Sequence, residues 1–167
     1  MNFKTMMLTA GVAASLAACT TSGGSADGDK IIDKPDFKTT SGVFDIDALE
    51  ALGRVSGVKV SPDGQKVLFA ISYESVEENK SNADLYTVNP DGAGLTRLTR
   101  TASSEGNFCW IDGGKKIAFT YPVDGKPQVF TMDADGSGRR QVSNVENGVE
   151  GFLFSPDCKK ILLVCRA

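Results

Sequence analysis

Cysteine is the most reactive side chain in this sequence, and it occurs as Cys19, Cys109, Cys158 and Cys165. A cysteine or serine becomes a catalytic nucleophile when a base such as histidine lies beside it, and the 167 residues contain no histidine. The same absence excludes a Ser-His-Asp triad and the usual zinc-finger and metalloprotease signatures. We therefore expect no catalytic residue, no metal site and no cofactor in this chain.

Cys19 lies at the end of a segment with the pattern of an export signal. A lysine supplies a positive start, and the apolar run that follows is shorter than the roughly 20 residues that a membrane-spanning helix needs. The sequence Leu16-Ala17-Ala18-Cys19 resembles the lipobox of bacterial lipoproteins. This resemblance implies a signal peptide over residues 1–18 and a lipidated Cys19 that anchors the chain to a membrane.

The residues after Cys19 are small, polar and rich in glycine, which predicts a flexible tether over residues 19–43. The residue after Cys19 is Thr20. An aspartate at this position would resemble an inner-membrane retention signal, and Thr20 does not. We therefore expect an exported protein in the cell envelope, anchored at the outer membrane and facing either the periplasm or the cell surface.

Three cysteines remain besides Cys19, so they cannot all pair with one another, and none of them forms a C-x-x-C motif. An exported compartment nevertheless permits disulfides. Buried or free thiols are therefore the favoured interpretation, and their pairing stays open.

The net charge of the chain limits the partners that it could bind. The net charge of −3 gives no basic excess for phosphates, so we expect no nucleic-acid partner.

The body of the chain repeats itself. Residues 58–99 align with residues 108–143, and a third copy begins at Gly151. The first-turn aspartates of the three copies are Asp63, Asp112 and Asp157. A Pro-Asp-Gly sequence such as Pro62-Asp63-Gly64 is typical of a tight turn, because proline fixes φ and glycine accepts a positive φ. Cys158 occupies the position at which the repeat has glycine, so we expect it to take a positive φ.

Each copy is predicted to form four short strands. The second strand is apolar at consecutive positions, as in Val67-Leu68-Phe69-Ala70-Ile71, whereas a half-exposed antiparallel strand would alternate. Continuous apolarity requires that both faces of the sheet be covered, as in blades that stack around an axis. The pattern predicts an all-β fold, an incomplete β-propeller of four-stranded antiparallel blades, with two blades and part of a third.

One short helix is predicted upstream of the blades, over residues 44–54. Asp47 is expected to cap its start, with Glu50 three residues later as in a capping box, and Gly53 is expected to end it in the left-handed conformation. The partial propeller then covers residues 55–167. The expected blade ranges are 55–100, 106–144 and a shortened 150–167.

This arrangement resembles the N-terminal propeller of the prolyl oligopeptidase family of serine peptidases, and in particular secreted dipeptidyl and acylaminoacyl peptidases. TolB-type propellers share the blade motif, which is also similar to WD40 repeats. The residues that carry the resemblance are 49–56 (LEALGRVS), 58–64 (VKVSPDG), 84–92 (DLYTVNPDG) and 95–99 (LTRLT).

The resemblance implies a non-catalytic region that gates and positions short peptide substrates for a C-terminal α/β-hydrolase domain. That domain would carry G-x-S-x-G, and the motif is absent from these residues. Because two and a half blades do not close a ring, we expect the front of a longer protein or a truncated, nonfunctional product. The alternative function is a TolB-like module that binds an envelope protein and has no enzymatic activity.

The acidic insert from Glu74 to Asn79 allows two interpretations. Glu77 and Glu78 would suit the N-terminal ammonium of a peptide, which is a role that the resemblance to dipeptidyl peptidases implies. A solvated loop between two strands is the favoured alternative, because the spacing matches no known motif. Trp110, Phe119 and Phe130 are predicted to be core aromatics.

Overall fold

The computed structural model describes residues 30–36, 42 and 44–165. One short helix, α1 (Ile46–Glu50), precedes three antiparallel sheets. The first sheet contains β1 (Arg54–Val60), β2 (Val67–Ser75), β3 (Lys80–Val88) and β4 (Thr96–Arg97). The second contains β5 (Gly106–Ile111), β6 (Lys116–Val123), β7 (Lys126–Asp133) and β8 (Arg140–Gln141), and a 3-10 turn (Asp112–Gly114) joins β5 to β6. The third contains β9 (Gly151–Phe154) and β10 (Ile161–Val164).

These sheets are the blades of an incomplete β-propeller, which confirms the predicted fold class. Within each four-stranded sheet the strands are hydrogen-bonded in chain order. The first strands of successive sheets contact one another, β1 with β5 and β5 with β9. Gly57 in β1 permits this approach, because a Cβ atom there would lie 2.4 Å from the ring of Phe108 in β5. The sheets therefore radiate from their first strands, and we call them blade 1, blade 2 and blade 3.

The core lies between blades 1 and 2. In β2 the consecutive residues Leu68, Phe69 and Ala70 are all buried, and β6 buries four consecutive residues that begin at Ile117. Both faces of β2 and β6, the second strands of blades 1 and 2, are thus covered, as the continuous apolar pattern predicts. Phe119 is fully buried, and Trp110 and Phe130 pack against the same core, in agreement with their predicted role.

The turn after each first strand is fixed by local chemistry. In blade 1, Asp63 Oδ1 accepts a hydrogen bond from the Gln65 backbone N–H at 3.0 Å, and Gly64 has a φ of 71°. Cys158 occupies the corresponding position of blade 3 with a φ of 55°, so its expected positive φ is confirmed. Its Sγ accepts a hydrogen bond from the Asp112 N–H at 3.1 Å, which links the first turns of blades 2 and 3.

The expected caps of the helix were wrong. Asp45, rather than Asp47, is the N-cap, and its side chain accepts a hydrogen bond from the Ala48 N–H at 2.9 Å. The helix ends at Glu50, before the expected position 54, and Gly53 does not have a positive φ. Glycine is needed at position 53 for a different reason: a Cβ atom would lie 2.6 Å from Ile71 Cγ2, because the chain crosses closely over β2.

Candidate functional site

The acidic insert forms the tip of the hairpin between β2 and β3. Strand pairing continues to Ser75 and Lys80, so the insert lengthens both strands, and only residues 76–79 form the turn. Asn79 takes a φ of 48° in this turn. The favoured solvated loop is therefore a short turn on an extended hairpin, and the glutamates are displayed at its end.

The hairpin tip borders a cleft of about 450 Å³. The other walls come from residues 30–36 and from α1 with the residue that follows it. Seven of the lining residues carry carboxylates, and one, Lys30, carries a positive charge. The Lys30 ammonium lies 3.5 Å from a carboxylate oxygen of Glu77 and 3.1 Å from one of Glu78. The two glutamates that were considered for a peptide ammonium thus bind an ammonium group of their own chain.

A second polar cluster lies inside the molecule, on β3 and β4 of blade 1 and on the residues that follow β4. Asp84 in β3 is only 1% exposed, and its Oδ2 lies 2.6 Å from Arg97 Nη2. The Thr101 backbone N–H donates to Asp84 Oδ1 at 3.2 Å. Burial raises the pKa of Asp84, and the neighbouring Arg97 opposes that increase. The arginine therefore offsets part of the free-energy cost of a buried carboxylate.

Glu105 extends this cluster toward blade 2. Its carboxylate accepts hydrogen bonds from the hydroxyls of Thr99 and Thr101, each at 2.8 Å, and its side chain is fully buried. Arg139 of blade 2 lies 3.6 Å from Glu105 Oε1. Burial raises the pKa of Glu105 to about 7, and Asp84 adds to the increase, whereas the two hydroxyls and Arg139 act against it.

Arg139 also covers an aromatic cluster on blade 2. Its guanidinium carbon lies 4.3 Å from the ring centre of Tyr121, 5.0 Å from that of Phe130 and 5.1 Å from that of Phe119. A guanidinium over aromatic faces is attracted by the negative potential of the rings. The buried cluster therefore joins blade 1 to blade 2 through charge, and it is a structural device rather than an exposed ligand site.

Sequence reasoning did not identify Asp84, Arg97, Glu105 or Arg139. The repeat itself gives a signal for Asp84 and Arg97: a shift of 44 residues places Asp84 over Gln128 and Arg97 over Gln141, at positions that are polar in both blades. It gives none for Glu105 and Arg139, whose counterparts Val149 and Leu95 are apolar. A polar residue that recurs within an otherwise apolar strand indicates a buried hydrogen-bonding position.

The remaining candidate residues are placed as follows. Cys19, predicted to carry lipid, lies outside the described residues, as does the expected signal peptide over residues 1–18. Cys109, Cys158 and Cys165 are free thiols, in agreement with the favoured interpretation, and burial raises the pKa of Cys109. Within residues 30–36, 42 and 44–165, no helix combines the length and the apolar content needed to cross a bilayer.

Comparison with known proteins identifies the family. The family described as the TolB beta propeller domain matches residues 45–167. Dipeptidyl-peptidase 5 of Porphyromonas endodontalis is 37% identical over 117 residues, and dipeptidyl-peptidase 5 of Porphyromonas gingivalis is 40% identical over 111 residues. These matches cover 68% and 66% of this chain, but only 16% of the length of each relative.

Solved structures agree in fold. The acylaminoacyl peptidase of Pyrococcus horikoshii superimposes with a TM-score of 0.57 at 16% identity, over 70% of this chain and 18% of that protein. A putative TolB from Agrobacterium tumefaciens superimposes with a TM-score of 0.53 at 22% identity, over 69% of this chain and 39% of that protein. The expected likeness to the propeller part of prolyl oligopeptidase family peptidases is thus confirmed, and the chain belongs to the TolB β-propeller domain family.

Proposed function

We propose that this chain is the propeller region of an exported serine peptidase of the prolyl oligopeptidase family. In this proposal the propeller does not cleave peptides. It controls which peptides reach a C-terminal α/β-hydrolase domain, and it positions them there. The single observation that carries the proposal is the identity of 37–40% to dipeptidyl-peptidase 5 of two species.

The geometry of the first strands supports a role in access. All seven residues of β1 are exposed, although β2 beside it is largely buried. Because the first strands of the blades lie side by side, a completed ring would place such strands around a central opening. An opening lined by strand edges and exposed side chains such as those of Val55, Val58 and Val60 would admit a narrow peptide and exclude a folded protein.

The test uses the complete product of the gene that encodes this sequence. We expect it to release a fluorophore from dipeptide or acyl-amino-acid reporters and to be labelled by a serine-directed phosphonate, whereas the present chain alone does neither. Deletion of residues 45–167 from the gene product should increase the cleavage of long peptides relative to dipeptide reporters, because the propeller would no longer restrict access. A gene product without G-x-S-x-G followed by Asp and His, or one without serine-directed labelling, would refute the proposal.

The second candidate is a TolB-like module that binds an envelope protein. The family match over residues 45–167 and the superposition on the Agrobacterium protein favour it. A gene product that lacks the hydrolase residues but unfolds cooperatively would support this candidate, because cooperative unfolding shows a complete folded unit. A product that lacks those residues and does not unfold cooperatively would indicate a truncated, nonfunctional protein.

We also propose that Cys19 carries the lipid that holds the protein at the outer membrane. The support is the sequence Leu16-Ala17-Ala18-Cys19 and the small, polar, glycine-rich composition of the residues directly after it. Cys19→Ser should move the protein from the membrane fraction to the soluble fraction, with Cys165→Ser as the control that stays with the membrane. Membrane retention of the Cys19→Ser protein would contradict the lipid anchor.

A further inference from the structure

Blade 1 buries a face that no described blade covers. The rings of Phe69 and Tyr86 stack across β2 and β3 with centres 6.2 Å apart, as the rings of Phe119 and Phe130 do across β6 and β7 at 5.9 Å. Phe119 belongs to the core between blades 1 and 2, so the stack of blade 2 faces blade 1. By the repeat, the equivalent stack of blade 1 faces away from blade 2.

Alternation along β2 gives the same orientation. Leu68 and Ala70 belong to the core shared with blade 2, so Phe69 between them points to the opposite face. A face without a neighbouring blade should be open to water, yet Phe69 is only 9% exposed and Tyr86 only 8%. Within the part of the chain that the structure describes, a segment outside the blades therefore covers them.

Residues 30–36 lie at this face. Ile32 is only 8% exposed, which is low for a residue outside the sheets and the helix. The carboxylate of Asp33 accepts hydrogen bonds from Arg97 Nη1 at 2.5 Å and from Arg100 Nε at 3.1 Å, and it also contacts Arg100 Nη2. Arg97 is the direct cross-strand partner of Tyr86, so Asp33 reaches the edge of the aromatic stack.

The first residue and the middle of this short stretch are tied to blade 1. Asp33 is tied to β4 and to the residue Arg100 after it, and Lys30 is tied to Glu77 and Glu78 at the hairpin tip. Exposed ion pairs contribute little by themselves. The side chain of Arg97, however, is only 21% exposed and is already held by the buried Asp84. Asp33 therefore meets a guanidinium that is fixed in advance, and less side-chain entropy is lost.

Blade 2 supplies an internal precedent. There the stack of Phe119 and Phe130 is covered by Arg139, whose partner is Glu105 in the segment that enters the blade. In blade 1 the arginine is Arg97, and its partner is Asp33 in the segment upstream of the blade. In both cases an acid from the preceding chain segment binds an arginine beside an aromatic pair.

We propose that residues 30–36 are a strap that closes the free face of blade 1 and is fastened by Asp33. This role needs no hydrolase domain and no ligand, and in a ring completed as proposed above the strap would lie between blade 1 and the blade that closes the ring.

Thiol labelling tests the strap. In the full chain, Ile32→Cys places a thiol on the buried side of the strap, and modification by iodoacetamide is followed for that peptide by mass spectrometry. Ile31→Cys, at a residue that is 37% exposed, gives the reference rate for an accessible position. We expect Cys at position 32 to react more slowly than at 31. Adding Asp33→Asn should accelerate the reaction at 32 about tenfold, because two charge-assisted contacts are lost.

The matched control is Asp36→Asn, since Asp36 lies in the same segment and lines the same cleft. It should leave the rate at position 32 unchanged. If Asp33→Asn prevents folding, as judged by circular dichroism, Arg100→Gln replaces it and should give a smaller acceleration. Equal rates at positions 31 and 32, or no acceleration in a folded Asp33→Asn or Arg100→Gln protein, would overturn the strap.

Discussion

The junctions that follow blade 1 and blade 2 share one backbone design and differ in their charge. In blade 1 the Leu98 N–H donates to the Leu85 carbonyl at 2.8 Å, and in blade 2 the Val142 N–H donates to the Val129 carbonyl at 2.8 Å. The side chains at equivalent positions differ. The pairs, related by 44 residues, are Asp84 and Gln128, Arg97 and Gln141, Thr99 and Ser143, and Glu105 and Val149.

Both junctions satisfy their buried polar groups. In blade 2 the Gln128 side-chain amide donates to the Val145 carbonyl at 2.7 Å, and its oxygen accepts from the Val145 N–H at 2.9 Å. The neutral amide of Gln128 thus has the same hydrogen-bonding role in blade 2 that Asp84 has in blade 1, and it needs no arginine because it carries no charge. The comparison shows that the fold requires a hydrogen-bonding group at this position but does not require a charge. The charges of blade 1 serve a local purpose. Asp84 holds Arg97 in place to bind Asp33, and Glu105 binds Arg139.

Removal of Arg97 should produce the largest difference between the junctions. Arg97→Ala leaves the buried carboxylate of Asp84 without its cation, and the loss of a buried partner typically lowers stability by about 3 to 5 kcal/mol. Gln141→Ala, at the equivalent exposed position of blade 2, removes one neutral hydrogen bond to the Ser143 carbonyl and should cost about 1 kcal/mol. Urea unfolding at neutral pH measures both losses.

The double variant Asp84→Asn/Arg97→Ala is the control for that prediction. It removes the unpaired charge, and it should recover part of the stability lost in Arg97→Ala. Equal losses in Arg97→Ala and Gln141→Ala would show that the charge of the first junction has no energetic consequence.

The next effect concerns pH. The folded pKa of Glu105 is about 7, raised by burial from an ordinary value of 4.5, so the folded chain binds this proton more tightly than the unfolded chain. The resulting stability is present in full below about pH 4.5 and is lost as the pH rises to about 7, by roughly 2 to 3 kcal/mol. Glu105→Gln should abolish this part of the pH dependence, measured by urea unfolding between pH 4.5 and 8.

Val149→Gln is the matched control, because it introduces the same amide at the equivalent position of blade 2. It should reduce stability at every pH and keep the wild-type pH dependence. If the free energy of unfolding changed with pH as steeply in Glu105→Gln as in the wild-type protein, Glu105 would not be the titrating group.

The smallest expected effect concerns the hydroxyls that bind the third strand of each blade. Thr99 Oγ1 accepts from the Leu85 N–H at 2.9 Å and donates to the carboxylate of Glu105, whereas Ser143 Oγ accepts from the Val129 N–H at 2.8 Å and donates to a neutral amide. Hydrogen bonds to charged groups are stronger. Thr99→Val should therefore cost about 2 kcal/mol and Ser143→Ala about 1 kcal/mol. A larger loss for Ser143→Ala in thermal or urea unfolding would reverse the comparison.

Sequence analysis recovered the parts of the fold that depend on short-range chemistry. The turn at Asp63 and Gly64, the positive φ of Cys158 and the two-sided burial of β2 all follow from residues close together in the chain. The N-cap was mispredicted because Asp45 and Asp47 are both suitable capping residues, and in the structure the helix begins at Ile46, directly after Asp45.

The candidate site was less accessible to prediction. The acidic hairpin was visible in the sequence, but its partner Lys30 lies 48 residues away from Glu78. Lys30 precedes the blades in a segment whose composition indicated only a tether. Nothing local distinguishes a lysine that is free in solvent from one held between two glutamates.

The sequence by itself determined that the chain is built of repeated four-stranded blades and carries no histidine-dependent catalysis. Composition excludes the catalysis, while turn residues and apolar runs act over a few positions and set the strands. Tertiary structure alone decided which charges are buried and which segment covers blade 1. Asp33 meets Arg97 across 64 residues and Asp84 meets it across 13, and the free energy of a buried charge depends on such partners rather than on chain neighbours.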